Sequence, residues 1–256
     1  MNHYKSIWIS DIHLGTRGSK ANLLCQFLKH SQCENLFLVG DIIDGWRLRK
    51  NWYWTQEHSN VIRRILTKAK RGTNVVYITG NHDEFLRTWI KQIIDIGNIT
   101  IVNKYVYQDS KGRSWLITHG DLFDHVTRHY KWISMLGDNA YNLLLEFNTQ
   151  LAKIRSFLNL GYWSFSNYIK SRTKQAVDFI YKFEHYLSLH AKTKGYFGVI
   201  CGHIHTPAIK FLNDVVYIND GDWVESCSAV VETYEGEFIL LQIDHLGNMK
   251  EIDRFK

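Results

Sequence analysis

The sequence predicts an α/β protein with a layered core interrupted by a helical insertion, on three observations. Short apolar runs alternate with helix-like stretches through the first hundred residues. Strand-like sequence returns near the C-terminus, and the block between has helical periodicity and a strongly basic balance. With 256 residues, 45% hydrophobic and 14% aromatic, the chain suits one large domain, or a domain carrying an insertion, and not a disordered polymer.

The elements follow in order. "YKSIWIS" (4–10), "NLFLVG" (35–40) and "VVYITG" (75–80) predict buried strands, each ending in glycine or a polar turn. Residues 20–31 and 53–71 have helical periodicity without breakers, and "IRRILTKAKRG" ends basic and then glycine, as a helix C-terminus should. "ITIVNKYVYQDSKGRSWLITHG" predicts two strands around a "DSKGR" turn. "YFGVICGH" (196–203) and "VVYIND" (215–220) predict further strands, and "AVVETY" and "EFILLQID" a terminal hairpin joined at Glu235-Gly236. Between these blocks, Trp132, Leu136, Ala140, Leu143, Phe147, Leu151, Ile154 and Leu158 recur at steps of three and four, one apolar helical stripe. A second helical stretch runs from about Asn167 to Ala191. The expected division is a core of residues 1–124 and 194–256 with a helical insertion, or cap, over 125–193.

The net charge of +6 sits in one place. From His125 to Gly195 there are ten Lys and Arg against four Asp and Glu, so the remainder of the chain is neutral. Such an excess suits a surface facing something anionic; a lysine-rich solvated face is the plainer alternative. Cys25, Cys33, Cys201 and Cys227 have no CxxC or zinc-finger spacing and read as reduced packing residues. "MNHYKSIWISDIHL" reads as a first strand and not as a secretory leader, and no run reaches the ~18 apolar residues of a membrane span. The cytoplasm is the expected location.

Five segments each place Asp, Asn or His at the end of a predicted strand: "SDIHLG" (Asp11, His13), "GDIIDG" (Asp41, Asp44), "GNHDEF" (Asn81, His82, Asp83), "THGDLFD" (His119, Asp121, Asp124) and "CGHIHT" (His203, His205). Sites in α/β sheets form outside the carboxyl ends of strands, so distant segments can converge. In extended chain, residues i and i+2 point the same way, so Asp11/His13 and His203/His205 would each offer two ligands in one direction. Mixed carboxylate, amide and imidazole ligation suits Mn²⁺, Fe²⁺ or Zn²⁺. A lone strand-end Asp is usually a turn residue and a lone His a packing residue; five such segments in order argue for a site.

Asp-x-His, Gly-Asp, Gly-Asn-His-Asp, His and Gly-His-x-His in this order resemble the calcineurin-like metallophosphoesterase superfamily, over essentially the whole chain outside the insertion. The resemblance implies a four-layer sandwich, two packed mixed sheets flanked by helices, with a dinuclear metal centre. One metal would take Asp11, His13, Asp41 and His205, the other Asp41, Asn81, His119 and His203, with Asp41 bridging. Two divalent cations against two carboxylates leave the site positive, which favours a phosphoryl group, and ligation brings the pKa of water towards ~7, so a hydroxide nucleophile exists at neutral pH. Manganese is the expected metal, with iron and zinc as alternatives. His82 would stabilise the transition state or protonate the leaving oxygen, with Asp83 orienting its imidazole. Asp44, Asp121 and Asp124 read as turn residues or groups behind the ligands.

More narrowly, "SDIHLG", "LVGDIIDGW", "GNHDEFLR", "THGDLFD", the insertion and "NDGDWVESC" are similar to the UDP-2,3-diacylglucosamine pyrophosphatase-like branch. That branch hydrolyses a nucleotide-sugar pyrophosphate to UMP and lipid X at the inner face of the cytoplasmic membrane, with the insertion as a lid over acyl chains. The resemblance implies a lipid-linked substrate and peripheral contact with the leaflet. A basic, aromatic insertion suits an anionic amphiphile, with Arg87, Trp163, Lys170, Arg172 and Lys174 as expected substrate contacts. One departure is His82, where the best-characterised members carry arginine; histidine can donate a proton near neutral pH, so the leaving group served can differ. A nuclease would need a long basic groove, whereas the excess here is confined to one insertion, so nucleic acid is not the expected partner. A phosphomonoesterase or phosphodiesterase acting on a small soluble nucleotide or sugar phosphate is the main alternative. A non-catalytic scaffold would be expected to have lost ligands, and all the motif positions are present.

Overall fold

The computed structural model describes residues 2–90, 98–123 and 165–256. The chain divides into two compact units, residues 1–123 with 185–256, and residues 124–184. The first unit holds two sheets. In the larger, β1 (Asn2–Ile9), β2 (Ser31–Val39), β3 (Asn74–Ile78) and β4 (Ile99–Val102) run parallel, and β10 (Ser228–Glu232), β11 (Phe238–Ile243) and β12 (Met249–Phe255) continue antiparallel, in the order β12-β11-β10-β1-β2-β3-β4. The smaller sheet, β5-β6-β7-β9-β8, has β6 (Ser114–Thr118), β7 (Gly198–Cys201) and β9 (Val215–Asn219) parallel. Its edges, β5 (Lys104–Gln108) and β8 (Ala208–Leu212), are antiparallel.

Strand alternation builds the layers. On β1, Ile7 and Ile9 join the cluster formed with Leu24, Phe27 and Leu28 of α1 (Ala21–His30) and Val61, Ile65 and Ala69 of α3 (Gln56–Lys70). Trp8, between them, points the other way into a cluster with Phe37, Tyr107, Trp115, Ile200 and Ile218, which fills the space between the sheets. Trp8 and Phe37, paired across β1 and β2, stack with ring centroids 5.2 Å apart. Each such aromatic contributes roughly 1.5–3 kcal/mol by burial. α5 (Phe165–Thr193) ends against the smaller sheet: Asn213 in the β8–β9 turn donates to the His185 carbonyl, and Lys192 pairs with Asp214. Helix, sheet, sheet and helix end are thus stacked as the sequence predicts. The hydrophobic stripe from Trp132 to Leu158 lies outside the described residues.

The element predictions need five corrections. "ITIVNKYVYQ" is two strands, β4 in the large sheet and β5 in the small one, with Asn103 at the switch. Periodicity cannot show this, because both strands are simply half-buried. The β10–β11 hairpin is not terminal, since the largely exposed edge strand β12 follows. The sequence reading also passes over β8, an exposed edge strand, and α4 (Arg87–Ile90), a single helical turn. It passes over α2 (Gly45–Lys50) too, a short helix begun by Asp44, whose carboxylate accepts the Arg47 amide at 2.8 Å.

Candidate metal centre

The carboxyl ends of β1, β2, β3, β6 and β7 are followed within a few residues by Asp11 and His13, Asp41 and Asp44, Asn81 and His82, His119, and His203 and His205 respectively. The backbone there is not extended: Asp11, His13, Asp41, His203 and His205 have φ between 49° and 72°. They are five of the eight non-glycine residues with positive φ among those described. Each left-handed residue costs on the order of 1 kcal/mol, so the fold concentrates strain where these side chains meet. This corrects the alternation argument. Asp11 and His13 do share a group, but His203 and His205 separate into different ones.

Three groups of donors result among the described residues, the atoms in each within 4.8 Å of one another: Asp11 with His13 and His205, Asp41 with His119 and His203, and His13, shared with the first, with Asp44 and His82. Asp11 Oδ1 stands 3.1 Å from His205 Nε2 and 3.8 Å from His13 Nε2. Its other oxygen accepts the His203 amide at 2.8 Å. Asp41 Oδ2 lies 3.3 Å from His119 Nε2, and Oδ1 accepts the His82 amide at 2.8 Å. His119 Nδ1 donates to the Val39 carbonyl at 2.8 Å, which turns Nε2 into the site. Glycine makes the approach of these loops feasible. A Cβ on Gly80 would sit 2.2 Å from Asp41 Oδ1, and one on Gly40, whose φ is +83°, 2.3 Å from His119 Nδ1.

Electrostatics sustain the cluster. Burial alone would raise the Asp11 and Asp41 carboxyls, but His205 and His119 for Asp11, and His119 for Asp41, hold both well below the usual carboxylate range. Burial would lower the histidines, yet Asp41 and Asp11 drive His119 well above its ordinary value, and Asp11 pushes His205 up to about 9. Behind Asp11, Ser10 Oγ stands 2.6 Å from both Asp11 Oδ2 and Asp220 Oδ1. Burial, joined by repulsion from Asp11, raises Asp220 far above the carboxylate range. Ser10 Oγ, which also lies 3.0 Å from the Gly221 carbonyl, thus links the two carboxylates.

Asp83 does not touch the His82 ring, which corrects the sequence expectation. Its carboxylate accepts the Gly80 amide at 2.6 Å, the Ile42 amide at 2.9 Å and the Tyr77 hydroxyl at 2.6 Å, tying the two loops together. Asp44 is the carboxylate beside the ring instead: Oδ1 lies 3.0 Å from His82 Nδ1, an ion-pair contact without hydrogen-bond alignment, and Oδ2 hydrogen-bonds His13 Nδ1 at 3.2 Å. The second Asp of "GDIIDG" thus orients one histidine in the first group and one beside the second. Spacing could not reveal this, since Asp44 and Asp83 are both plausible neighbours of His82 in sequence. The His82 ring is covered by Trp46, centroids 4.3 Å apart. Arg87 donates to Thr79 and, at 2.7 Å, to Asp121, linking the 79–87 loop to the one after β6. Lys170, Arg172 and Lys174 fall on α5, while their side chains, and Trp163 and Asp124 entirely, lie outside the described residues.

The donors fit divalent metal ions. Asp11 Oδ1, Asn81 Oδ1 and His119 Nε2 are buried without an aligned hydrogen-bond partner. Each would cost about 1–3 kcal/mol if nothing completed it. Three in one place, all carboxylate, amide or imidazole and none thiolate, suit hard or borderline cations.

A two-sheet α/β sandwich with carboxylates and histidines gathered at its strand ends makes a candidate divalent-metal site. Residues 4–207 match the family described as Calcineurin-like phosphoesterase, and the chain belongs to it. No curated protein matches the sequence. Among solved structures it is similar to Yfce, a phosphoesterase from E. coli, at 14% identity and TM-score 0.49, covering 98% of this chain and 97% of that one. It is also similar to Vacuolar Protein Sorting 29 from Cryptosporidium parvum, at 12% identity and TM-score 0.47, with 98% of this chain and 96% of that one covered. A predicted phosphoesterase from Streptococcus pneumoniae aligns at 13% identity and TM-score 0.42, with 97% of each chain covered.

Proposed function

We propose that this chain is a dinuclear metal-dependent hydrolase of a phosphoanhydride or phosphoester bond, and that its substrate is a UDP-2,3-diacylglucosamine-type nucleotide-sugar pyrophosphate, cleaved to UMP and lipid X. The observation that carries the reaction is the gathering of Asp–His groups in which Asp11 Oδ1, Asn81 Oδ1 and His119 Nε2 are buried without an aligned hydrogen-bond partner. Asp11, His13 and His205 would hold one cation, and Asn81, His119 and His203 the other, with Asp41 shared and bridging. Manganese heads the candidates, with iron or zinc as alternatives. When bound, two such ions supply Lewis acidity and a nucleophile from water at neutral pH.

The chain's own residues do the rest. Asp11 and Asp41, kept ionised by their surroundings, only partly offset two divalent cations, so the site attracts a phosphoryl anion. Asp44 Oδ1 stands 3.0 Å from His82 Nδ1 as a charge partner, and Nε2, on the Asp41 side of the ring, would give a proton to the leaving oxygen. Burial lowers the affinity of His82 for that proton, but the Asp44 contact and the charges of Asp41 and Asp44 raise it above the ordinary value. Among the described residues no helix is long and apolar enough to cross a membrane. The lipid-linked substrate, and contact with the cytoplasmic leaflet, are supported by the basic, aromatic sequence around "GYWSF" and Lys170, Arg172 and Lys174.

The test is a metal-reconstituted substrate panel: UDP-diacylglucosamine, its de-acylated analogue, and generic phosphomono- and diesters. Preference for the acylated pyrophosphate supports the proposal. Equal turnover of the de-acylated analogue, or preference for a monoester, would move the substrate to a small soluble nucleotide or sugar phosphate. Neutralising Lys170, Arg172 and Lys174 is expected to weaken binding of the anionic lipid and spare a soluble diester.

A further inference from the structure

A tryptophan outside the ligand set lies against the one histidine assigned to proton transfer. α2 begins with Gly45 and Trp46 directly after Asp44, and its first turn packs on the loop that carries His82. The Gly45 amide donates to the His82 carbonyl at 3.0 Å. A Cβ on Gly45 would stand 2.9 Å from that carbonyl oxygen and 2.9 Å from the Phe85 ring, so glycine is what lets the two segments lie this close. The next side chain, Trp46, then lands on His82, with ring centroids 4.3 Å apart and planes inclined by 36°. Trp46 Nε1 donates to Glu84 Oε1 at 3.2 Å, which ties the indole to the same loop.

Core burial does not account for this tryptophan, because 37% of its surface stays exposed. Its inner face is spent on the His82 imidazole. That ring needs a fixed plane, since a proton donor must come within hydrogen-bond reach of the oxygen it serves. The polar neighbours do not supply one. Asp44 Oδ1 lies 3.0 Å from Nδ1 without hydrogen-bond alignment, and Asp41 Oδ2 is 3.9 Å from Nε2. Packing does so instead: the His13 ring meets His82 at 89° with centroids 4.7 Å apart, and Trp46 covers it. The space left beside it, bounded by Gly45, Trp46, Arg49, Glu84 and Phe85, is about 40 Å³. That is little more than one water occupies, so the ring has no room to turn while the indole is in place.

We propose that Trp46 is a positioning residue for His82: its indole, seated by Gly45 and tied to Glu84, holds the imidazole plane so that Nε2 meets the leaving oxygen. This role rests on the proton donation proposed for His82 above, and it gives Trp46 no contact with substrate or metal. Asp44 acts on the same ring through charge, Trp46 through shape.

Trp46→Ala and Trp46→Phe in the full-length, metal-reconstituted chain test this on an alkyl and a p-nitrophenyl phosphodiester. Misplacing a reacting group by about 1 Å can cost on the order of 100-fold, so Trp46→Ala should lower kcat on the alkyl ester by about 10–100-fold. The loss should be far smaller on the p-nitrophenyl ester, whose leaving oxygen needs no proton, with KM and bound metal close to wild type. Trp46→Phe keeps a ring over the imidazole and should recover most of kcat. A second readout needs neither metal nor turnover: carbethoxylation of His82 by diethyl pyrocarbonate, followed by peptide mass spectrometry on chelated protein. It should run several-fold faster in Trp46→Ala and near the wild-type rate in Trp46→Phe, and thermal melts check that both variants fold. Equal loss on the two esters, a loss confined to KM, no rescue by phenylalanine, or an unchanged His82 modification rate would overturn the role. If metal-loaded wild type hydrolyses no phosphoester, the catalytic proposal fails, and the modification rates alone decide whether Trp46 holds His82.

Discussion

Asp44→Asn separates the structural from the catalytic duty of one side chain. Asp44 caps α2 through the Arg47 amide and also stands 3.0 Å from His82 Nδ1 and 3.2 Å from His13 Nδ1. Asparagine caps a helix about as well as aspartate, so the cap is retained. The charge beside His82 Nδ1 is lost, and a part-buried ion pair of this kind contributes about 1–2 kcal/mol. That converts to about 5–30-fold in rate. At saturating metal, kcat should fall by that factor on alkyl phosphoesters, whose leaving oxygen needs a proton, and far less on p-nitrophenyl esters. Asp44→Ala, which also removes the cap, should lose about 0.5–2 kcal/mol of stability in addition. Unchanged kcat, equal loss on both leaving groups, or an Asp44→Asn melting temperature as low as that of Asp44→Ala would refute the role.

Asp41→Asn, like Asp41→Ala, is expected to abolish hydrolysis and reduce bound metal measured by elemental analysis; wild-type turnover with two metals retained would sink the bridging assignment. Gly80→Ala forces a Cβ against Asp41 Oδ1 at 2.2 Å and the Asp41 amide at 2.6 Å. Overpacking of this kind costs about 1–3 kcal/mol, so melting temperature should fall by several degrees and metal content with it, whereas wild-type values would show that the loops need no such closeness. In the metal-free protein, His205 is pushed up to about 9 by Asp11. Its stabilising contribution is therefore complete below its unfolded pKa near ~6.5 and lost as pH rises towards 9. Chelated protein should lose melting temperature across that window while metal-loaded protein does not, and a flat chelated profile would contradict the Asp11–His205 pairing.

Much of the site was legible because its chemistry is local to short segments. Asp11, His13, Asp41, His119, His203 and His205 each sit where a predicted strand ends, and the structure brings them together. Strand spacing is nevertheless not what aims them. Left-handed backbone at five of these positions, and not strand alternation, aims the side chains. The partner of His82 was equally illegible: Asp83 is adjacent in sequence, yet its oxygens are consumed by Gly80, Ile42 and Tyr77. Asp44 reaches the ring only because α2 starts where the β3 loop passes, with the Gly45 amide donating to the His82 carbonyl at 3.0 Å.

By itself the sequence determined which residue types are available and in what order, along with the βαβ alternation that brings the strands' carboxyl ends to one edge. Hydrophobic periodicity and glycine placement suffice for that, because both act within a few residues. Only the tertiary structure decided which sheet each strand joined, that β4 and β5 part company at Asn103, and that Asp44 and not Asp83 holds His82. Those outcomes depend on packing between elements distant in sequence, where one buried contact excludes another and no local pattern records the choice.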